Sequence, residues 1–255
     1  MIPNTIRFIY LGGKPFSLVH YLAVKSACVI NDPTEVYCHC SREPVGEWWE
    51  KARPYLEVRK MEAPTEVAGV ALCIREHQAD VARLQILQEH GGIYLDIDVI
   101  CVKPFTPLLE NACVLGEQGV DGERGLCNAV ILAEKGSFFI QKWLEGFDVR
   151  TSLWSGFRSN GYDNYRDELS VGYPRELAQR FPEHINVQGY KKFYWPLYYP
   201  DHLEWFFRKS GSSFDEAYCH HLWEGIAWRR YLKDLTVQEL RTSDTNFARL
   251  AAKFL

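Results

Sequence analysis

Between residues 90 and 104 the chain reads HGGIYLDIDVICVKP, an apolar run that carries two aspartates. This run constrains the fold more than any other. Just before it, REHQADVARLQILQEH (75–90) repeats apolar residues at Ala79, Ala82, Ile86 and Leu87, which is helical spacing. Gly91 and Gly92 stop that helix, because glycine reaches the left-handed cap conformation cheaply. A strand is then predicted over 93–102. In a continuous strand, Ile93, Leu95, Ile97, Val99 and Cys101 line one face, and Tyr94, Asp96 and Asp98 the other. Both carboxylates then project the same way, about 7 Å apart at the backbone. Two like charges that close raise each other's pKa or call for a cation. A divalent metal with oxygen ligands resolves the conflict. The chain turns soon afterwards at Lys103-Pro104, and open α/β sheets bind ligands beyond the carboxyl ends of their strands. A bare Asp-x-Asp also fits one exposed Asp and one Asp held by backbone amides.

The surrounding pattern is α/β. Strands are predicted at IRFIYLGG (6–13), EVYCHC (35–40), YLEVRKM (55–61), CVLGEQ (113–118) and CNAVILAE (127–134). Helices are predicted at GEWWEKARP (46–54), SFFIQKWLEGF (137–147) and PRELAQRF (174–181), with two more after AYCHHLWEGIAW (217–228). The polar, aromatic stretch 151–174 reads as a long functional loop or subdomain. Alternating strands and helices argue for a mixed sheet with helices on both faces. The 255 residues suit a single domain.

Composition removes several partners. Net charge is −4 with no basic run, which excludes a phosphate-backbone tracker, so no nucleic acid is expected. No polybasic segment suggests an anionic membrane, and no stretch reaches about 18 apolar residues, so no transmembrane segment is expected. The N-terminus does not read as a signal peptide. The eight cysteines are scattered without a CxxC pair, which fits reduced core residues of a cytoplasmic protein. Cys38, His39 and Cys40 alternate faces on their strand, so a core role is favoured over a metal knuckle. Aromatic rings suit sugar and nucleobase faces, but they also fill ordinary cores.

Asp80 and Arg83 lie one turn apart on the helix before the glycine pair. Together, ADVARLQILQEHGGIYLDIDV (79–99) resembles the signature of the DXD-containing glycosyltransferases of glycosyltransferase family 32. Relatives of that family include bacterial capsular-polysaccharide transferases, fungal initiating mannosyltransferases and, distantly, the clostridial glucosylating toxins. The opening IPNTIRFIYLGGKP (2–15) resembles the family's first strand, with Arg7 where His is usual and Tyr10 where Trp is usual. HLWEGIAW (221–228) resembles its C-terminal His-x-Trp…Trp element, matching His221, Trp223 and Trp228.

The resemblance implies a GT-A-type, Rossmann-like fold. Residues 1–135 would form the nucleotide-sugar half, 136–230 the acceptor side, and 231–255 the C-terminal helices. It implies that Asp98 binds metal, that Asp96 contacts metal, ribose or donor sugar, and that His221 completes the metal or diphosphate site. Asp80 and Arg83 would hold the donor sugar, Tyr10 the nucleobase, and Asn128 would lie near the reacting sugar. Tyr94 and Trp223 join the donor-binding set. Each residue also has a plainer reading. Asp80 and Arg83 could be a local i,i+3 ion pair of about 0.3 kcal/mol. Tyr94 and Tyr10 could be packed aromatics, and His220 competes with His221. Trp48 and Trp49 are explained by core packing, and Asp163 or Asp167 could touch an acceptor.

The expected activity is a metal-dependent, retaining glycosyltransferase of polysaccharide biosynthesis. It would use Mn²⁺ or Mg²⁺ and move a sugar from a UDP- or GDP-sugar to a glycan or other hydroxyl acceptor. Two alternatives compete. A haloacid-dehalogenase-type phosphatase also carries Asp-x-Asp after a hydrophobic strand, but that motif usually opens its domain. A non-catalytic sugar-nucleotide-binding module would not need the full set of Asp80, Arg83, Asp96 and Asp98.

Overall fold

The computed structural model describes residues 1–12, 15–67, 69–72, 75–147 and 168–255. The first part of the chain forms β1 (Thr5–Tyr10), α1 (Leu18–Asn31), β2 (Glu35–Cys40), α2 (Glu47–Ala52), β3 (Glu57–Lys60) and a small hairpin, β4 (Glu66–Val67) and β5 (Val70–Ala71). Then come α3 (Arg75–His90), β6 (Gly92–Leu95), β7 (Val99–Cys101), β8 (Cys113–Gln118), β9 (Gly125–Ala133) and α4 (Phe138–Glu145). The remainder holds α5 (Tyr173–Arg180), β10 (Asn186–Gln188), α6 (Tyr190–Phe193), α7 (Pro200–Arg208), β11 (Cys219–His221), α8 (Glu224–Ala227), α9 (Val237–Thr242) and α10 (Asn246–Ala251).

Seven strands form the central sheet in the order β10-β8-β9-β6-β1-β2-β3. β1 pairs in parallel with β2 and β6, β2 with β3, and β8 with β10, while β9 runs antiparallel between β6 and β8. This is the expected mixed sheet with helices on both faces. Strand alternation divides the core. Ile6 and Phe8 of β1 join Val19, Leu22 and Ala23 of α1 on one side. Ile9 joins Val81, Leu84 and Leu87 of α3, with Phe139, Ile140 and Trp143 of α4, on the other. Each buried Val, Leu, Ile or Phe among these contributes about 1.5–3 kcal/mol, so both faces hold the sheet in place.

Sequence patterning assigns no element to residues 18–31, yet α1 spans 14 residues there. Its apolar side chains lie on most sides and Val19, Val24, Val29 and Ile30 are β-branched, so no single stripe marks it. The predicted stretch 151–174 lies outside the described residues as far as 167, and its end forms a helical turn, Glu168–Gly172, leading into α5. Among the described residues, no helix is long and apolar enough to cross a membrane.

Gly91 and Gly92 are demanded twice over. Their φ angles are +66° and +114°, the region that L side chains avoid. A Cβ on Gly92 would also stand 2.6 Å from the carbonyl oxygen of Thr5, and one on Gly91 2.6 Å from the amide of Lys135. The glycine pair therefore lets α3 end directly against β1.

The continuous strand expected over 93–102 is corrected. β6 ends at Leu95, and Asp96 gives the last ladder bond, its N–H donating to Ala129 O at 2.8 Å. A turn follows, closed by Val99 N–H to Asp96 O at 3.1 Å. The chain then leaves the central sheet and β7 pairs antiparallel with β11. Val99, Ile100 and Cys101 all enter the same core, so face alternation does not run through the motif. The turn, and not a shared strand face, brings the two carboxylates together.

Candidate active site

α3 presents Asp80 and Arg83 on its buried side, 1% and 4% exposed. Arg83 reaches in three directions. One terminal nitrogen contacts Asp80 Oδ1 at 3.1 Å. The other donates to Asp96 Oδ1 at 3.1 Å and to the Asn128 carbonyl at 2.8 Å. The guanidinium also lies 4.6 Å from the centre of the Tyr94 ring. Tyr94 in turn donates its hydroxyl to Asp96 Oδ1 at 2.6 Å. Asp80 Oδ1 accepts from Asn128 Nδ2 at 2.8 Å, and its Oδ2 accepts from Ser170 Oγ at 2.7 Å. Asn128 lies in the stretch of β9 where the β8–β9 register shifts, opposite Val114–Gly116.

Asp98 is gripped from the C-terminal segment. Its Oδ1 lies 3.2 Å from His221 Nε2, its Oδ2 accepts from the Glu224 amide at 2.7 Å, and its carbonyl accepts from the Leu222 amide at 3.0 Å. Trp223, between these two amides, takes the left-handed conformation (φ 55°, ψ 47°). That conformation is costly for a bulky residue. It turns the chain so that the next amide meets Asp98. The Trp223 ring lies 4.2 Å from His221, centre to centre, and its indole N–H donates to Pro196 O at 2.9 Å. His221 Nε2 is also 4.0 Å from Asp96 Oδ2. One ligand atom from each of Asp96, Asp98 and His221 can be chosen so that all lie within 4.8 Å of one another.

Charges are arranged in opposition. Burial acts against the Arg83 charge, but Asp96, Tyr94 and Asp80 outweigh it and hold the guanidinium above its usual pKa. Burial also raises the Asp96 carboxyl, aided by Asp98, and Arg83 and His221 only partly offset this. Asp98 falls below the usual carboxylate range. Burial works the other way there, but His221 and the Glu224 amide prevail. The same pairing lifts His221, since Asp98 overcomes the effect of burial. The side chain of Asp96 is 26% exposed and that of Asp98 only 8%, so the cluster opens to solvent at Asp96.

The predicted residues thus fall into place unevenly. Asp80, Arg83, Tyr94, Asp96 and Asn128 form one network, and Asp98, His221 and Trp223 adjoin it. His220 turns away, its Nδ1–H donating to Trp195 O at 2.6 Å between Phe206 and Phe214. Tyr10 stands further off at the end of β1, beside Phe16 and His20 at 5.9 and 6.3 Å. Arg7 is buried and donates from Nε to Gly91 O at 2.7 Å, tying β1 to the glycine turn. Trp49 is buried in the core. Asp163 and Asp167 lie outside the described residues. Among the described residues, Ser170 and the Glu224 amide contribute to the site without a sequence signal of their own. Their roles depend on chain segments that meet only in the fold.

The family model described as glycosyltransferase sugar-binding region containing DXD motif matches residues 41–115. Glucan organizing enzyme 1 of Cryptococcus neoformans var. grubii is 30% identical over 273 residues, spanning 100% of this chain and 71% of that protein. The chain belongs to the DXD-motif glycosyltransferases. A second relative of this family member, Subversion of eukaryotic traffic protein A of Legionella pneumophila, is 35% identical over 72 residues, 28% of this chain and 11% of that protein. Among solved structures, the galactosyltransferase LgtC, crystallised with donor and acceptor sugar analogs, superposes with a TM-score of 0.50 at 14% identity, covering 98% of this chain and 96% of LgtC. The glycosyltransferase fold is of the GT-A type.

Proposed function

We propose that this glycosyltransferase moves a sugar from a UDP- or GDP-sugar to a glycan or other hydroxyl acceptor, with a divalent cation and with retention of configuration. The observation that carries the reading is the Asp96–Asp98–His221 cluster, its ligand atoms within 4.8 Å of one another, set beside the buried Arg83. Two carboxylate oxygens and one imidazole nitrogen are a donor set that suits Mn²⁺, and Mg²⁺ with more water. Asp98, Asp96 and His221 would hold the ion. Bound there, it would neutralise charge on the departing diphosphate.

The chain's own residues do the rest. Asp80, fixed by Asn128 and Ser170, in turn holds Arg83 beside the donor sugar. Arg83 holds Asp96 and Asp80 in register and adds positive charge where the diphosphate leaves. Tyr94 orients Asp96 through its hydroxyl. Tyr10 offers a ring for the nucleobase, and Trp223 backs His221. In a front-face substitution the acceptor oxygen attacks from the side the diphosphate leaves, and the leaving phosphate takes the acceptor's proton, so no protein nucleophile is needed. The donor half is 1–135 and the acceptor half 136–230, with 231–255 closing the fold. The name of the Cryptococcus relative favours a glucan as acceptor and a part in polysaccharide assembly.

Thermal unfolding with a panel of UDP- and GDP-sugars tests this, first with Mn²⁺ and then with EDTA. A ligand at about 100 times its Kd stabilises the folded state by about 2.7 kcal/mol. The expected result is a Mn²⁺-dependent shift for one nucleotide series, absent in Asp98→Asn. No shift with any nucleotide sugar in a folded protein would sink the proposal.

A further inference from the structure

Asp98 is held not only by His221. Its Oδ2 depends on the Glu224 amide, and the Glu224 side chain turns back across the fold to a residue that no motif marks. Glu224 Oε1 lies 3.1 Å from His20 Nε2, with the His20 side chain 2% and the Glu224 side chain 13% exposed. The two residues are 204 positions apart in the chain. His20 Nδ1 accepts from the Ser17 amide at 3.1 Å, which assigns the tautomer: Nδ1 is the acceptor, so Nε2 carries the proton and donates to Glu224. The ring is wedged against Phe16 at 5.1 Å and Tyr10 at 6.3 Å, centre to centre. A continuous line therefore runs from the loop between β1 and α1, through His20 and Glu224, to Asp98.

We propose that His20 is a positioning residue that clamps Glu224 and thereby fixes the Asp98 carboxylate. The physical need is local. α8 has only four residues, and Trp223 before it sits in a conformation that a bulky residue does not adopt unaided. Such a turn stays formed only if its surroundings over-determine it. The Glu224 carboxylate, anchored on a buried imidazole in the first turn of α1, supplies that constraint. The same bond ties the start of α1, beside Tyr10, to the segment that carries His221. The functional consequence, tighter cation binding, rests on the metal-dependent reading of Asp98 given above.

Two readouts on the full chain separate the clamp from that reading. The first needs no ligand: hydrogen exchange of the Glu224 amide. In His20→Phe and in Glu224→Ala it quickens by about tenfold, the equivalent of roughly one hydrogen bond. The double variant is no faster than either single one. Glu224→Gln keeps an acceptor for His20 and recovers most of the protection. The second readout is the affinity for Mn²⁺ alone, which falls in the same order. Glu224→Ala leaves α1 intact, so it serves if His20→Phe fails to fold.

Exchange that rises only in the first turn of α1, with the Glu224 amide unchanged, would make His20 a helix cap and overturn the clamp. A Glu224→Gln variant as impaired as Glu224→Ala would overturn it too, by assigning the effect to charge. Altered Glu224 exchange in a protein that binds no Mn²⁺ would uphold the clamp and remove the metal reading.

Discussion

Arg83 offers the sharpest test of how the site is held together. It is the one described cation in contact with both Asp80 and Asp96, at 3.1 Å from each. Truncation in Arg83→Ala leaves two carboxylates without that counter-charge, and Asp80 is 1% exposed. Breaking a buried pair by removing one partner costs about 3–5 kcal/mol. The loss falls short of complete exposure of two bare charges, because Asn128 and Ser170 still donate to Asp80 and Tyr94 to Asp96. The Asn128 carbonyl loses its Arg83 partner as well, adding about 1 kcal/mol. At about 2–4 °C per kcal/mol for a chain of this size, Tm falls by roughly 8–24 °C. Differential scanning calorimetry measures it. The double variant Asp80→Asn with Arg83→Ala removes one of the stranded charges and regains about 1–2 kcal/mol. A Tm within 2 °C or so of the parent would refute the idea that Arg83 neutralises the pair. So would a double variant less stable than Arg83→Ala.

Three further outcomes are expected. Gly92→Ala meets the Thr5 carbonyl at 2.6 Å with a φ of +114°, so it costs about 2–5 kcal/mol, read from the urea midpoint; an unchanged midpoint would mean that β6 can shift away from β1. Ser170→Ala removes a buried bond to the Asp80 carboxylate and costs about 1.5–3 kcal/mol, with a rise in donor KM larger than any fall in kcat; Ser170→Thr retains more of both. His39 has its pKa pushed down to about 4 by burial, aided by the Arg7 charge, against an unfolded value near 6.5. It is therefore neutral in the fold, and the stability it allows is complete above pH 6.5 and falls by about 3 kcal/mol as pH drops to 4. His39→Gln should flatten that part of the stability–pH curve, and an unchanged slope between pH 6.5 and 4 would contradict the assignment.

Much of the architecture was legible because local patterns agreed with tertiary demands. Residues 75–90 have helical spacing and a glycine stop, and α3 spans that same stretch. The strands 35–40 and 113–118 match their patterns residue for residue. α1 was not legible, since a helix buried on most sides leaves no stripe to read. The strand expected through the DXD motif differs from the fold for another reason. Apart from Asp96 and Asp98, residues 93–102 are β-prone, and nothing local reports that β11 draws Val99–Cys101 out of the central sheet.

The sequence by itself determined the inventory of the site: two acids two residues apart, an Asp and an Arg one turn apart, and glycines where the backbone must take positive φ. Those are properties of spacing and residue type, so they survive without coordinates. The tertiary structure alone decided which groups meet. It chose His221 over His220, because pairing of β11 with β7 aims one ring at Asp98 and the other at Trp195. It brought Ser170 to Asp80 and Glu224 to His20 across 90 and 204 residues. Hydrogen bonds depend on position in space, and a chain that folds back on itself leaves no trace of such pairings in its local order.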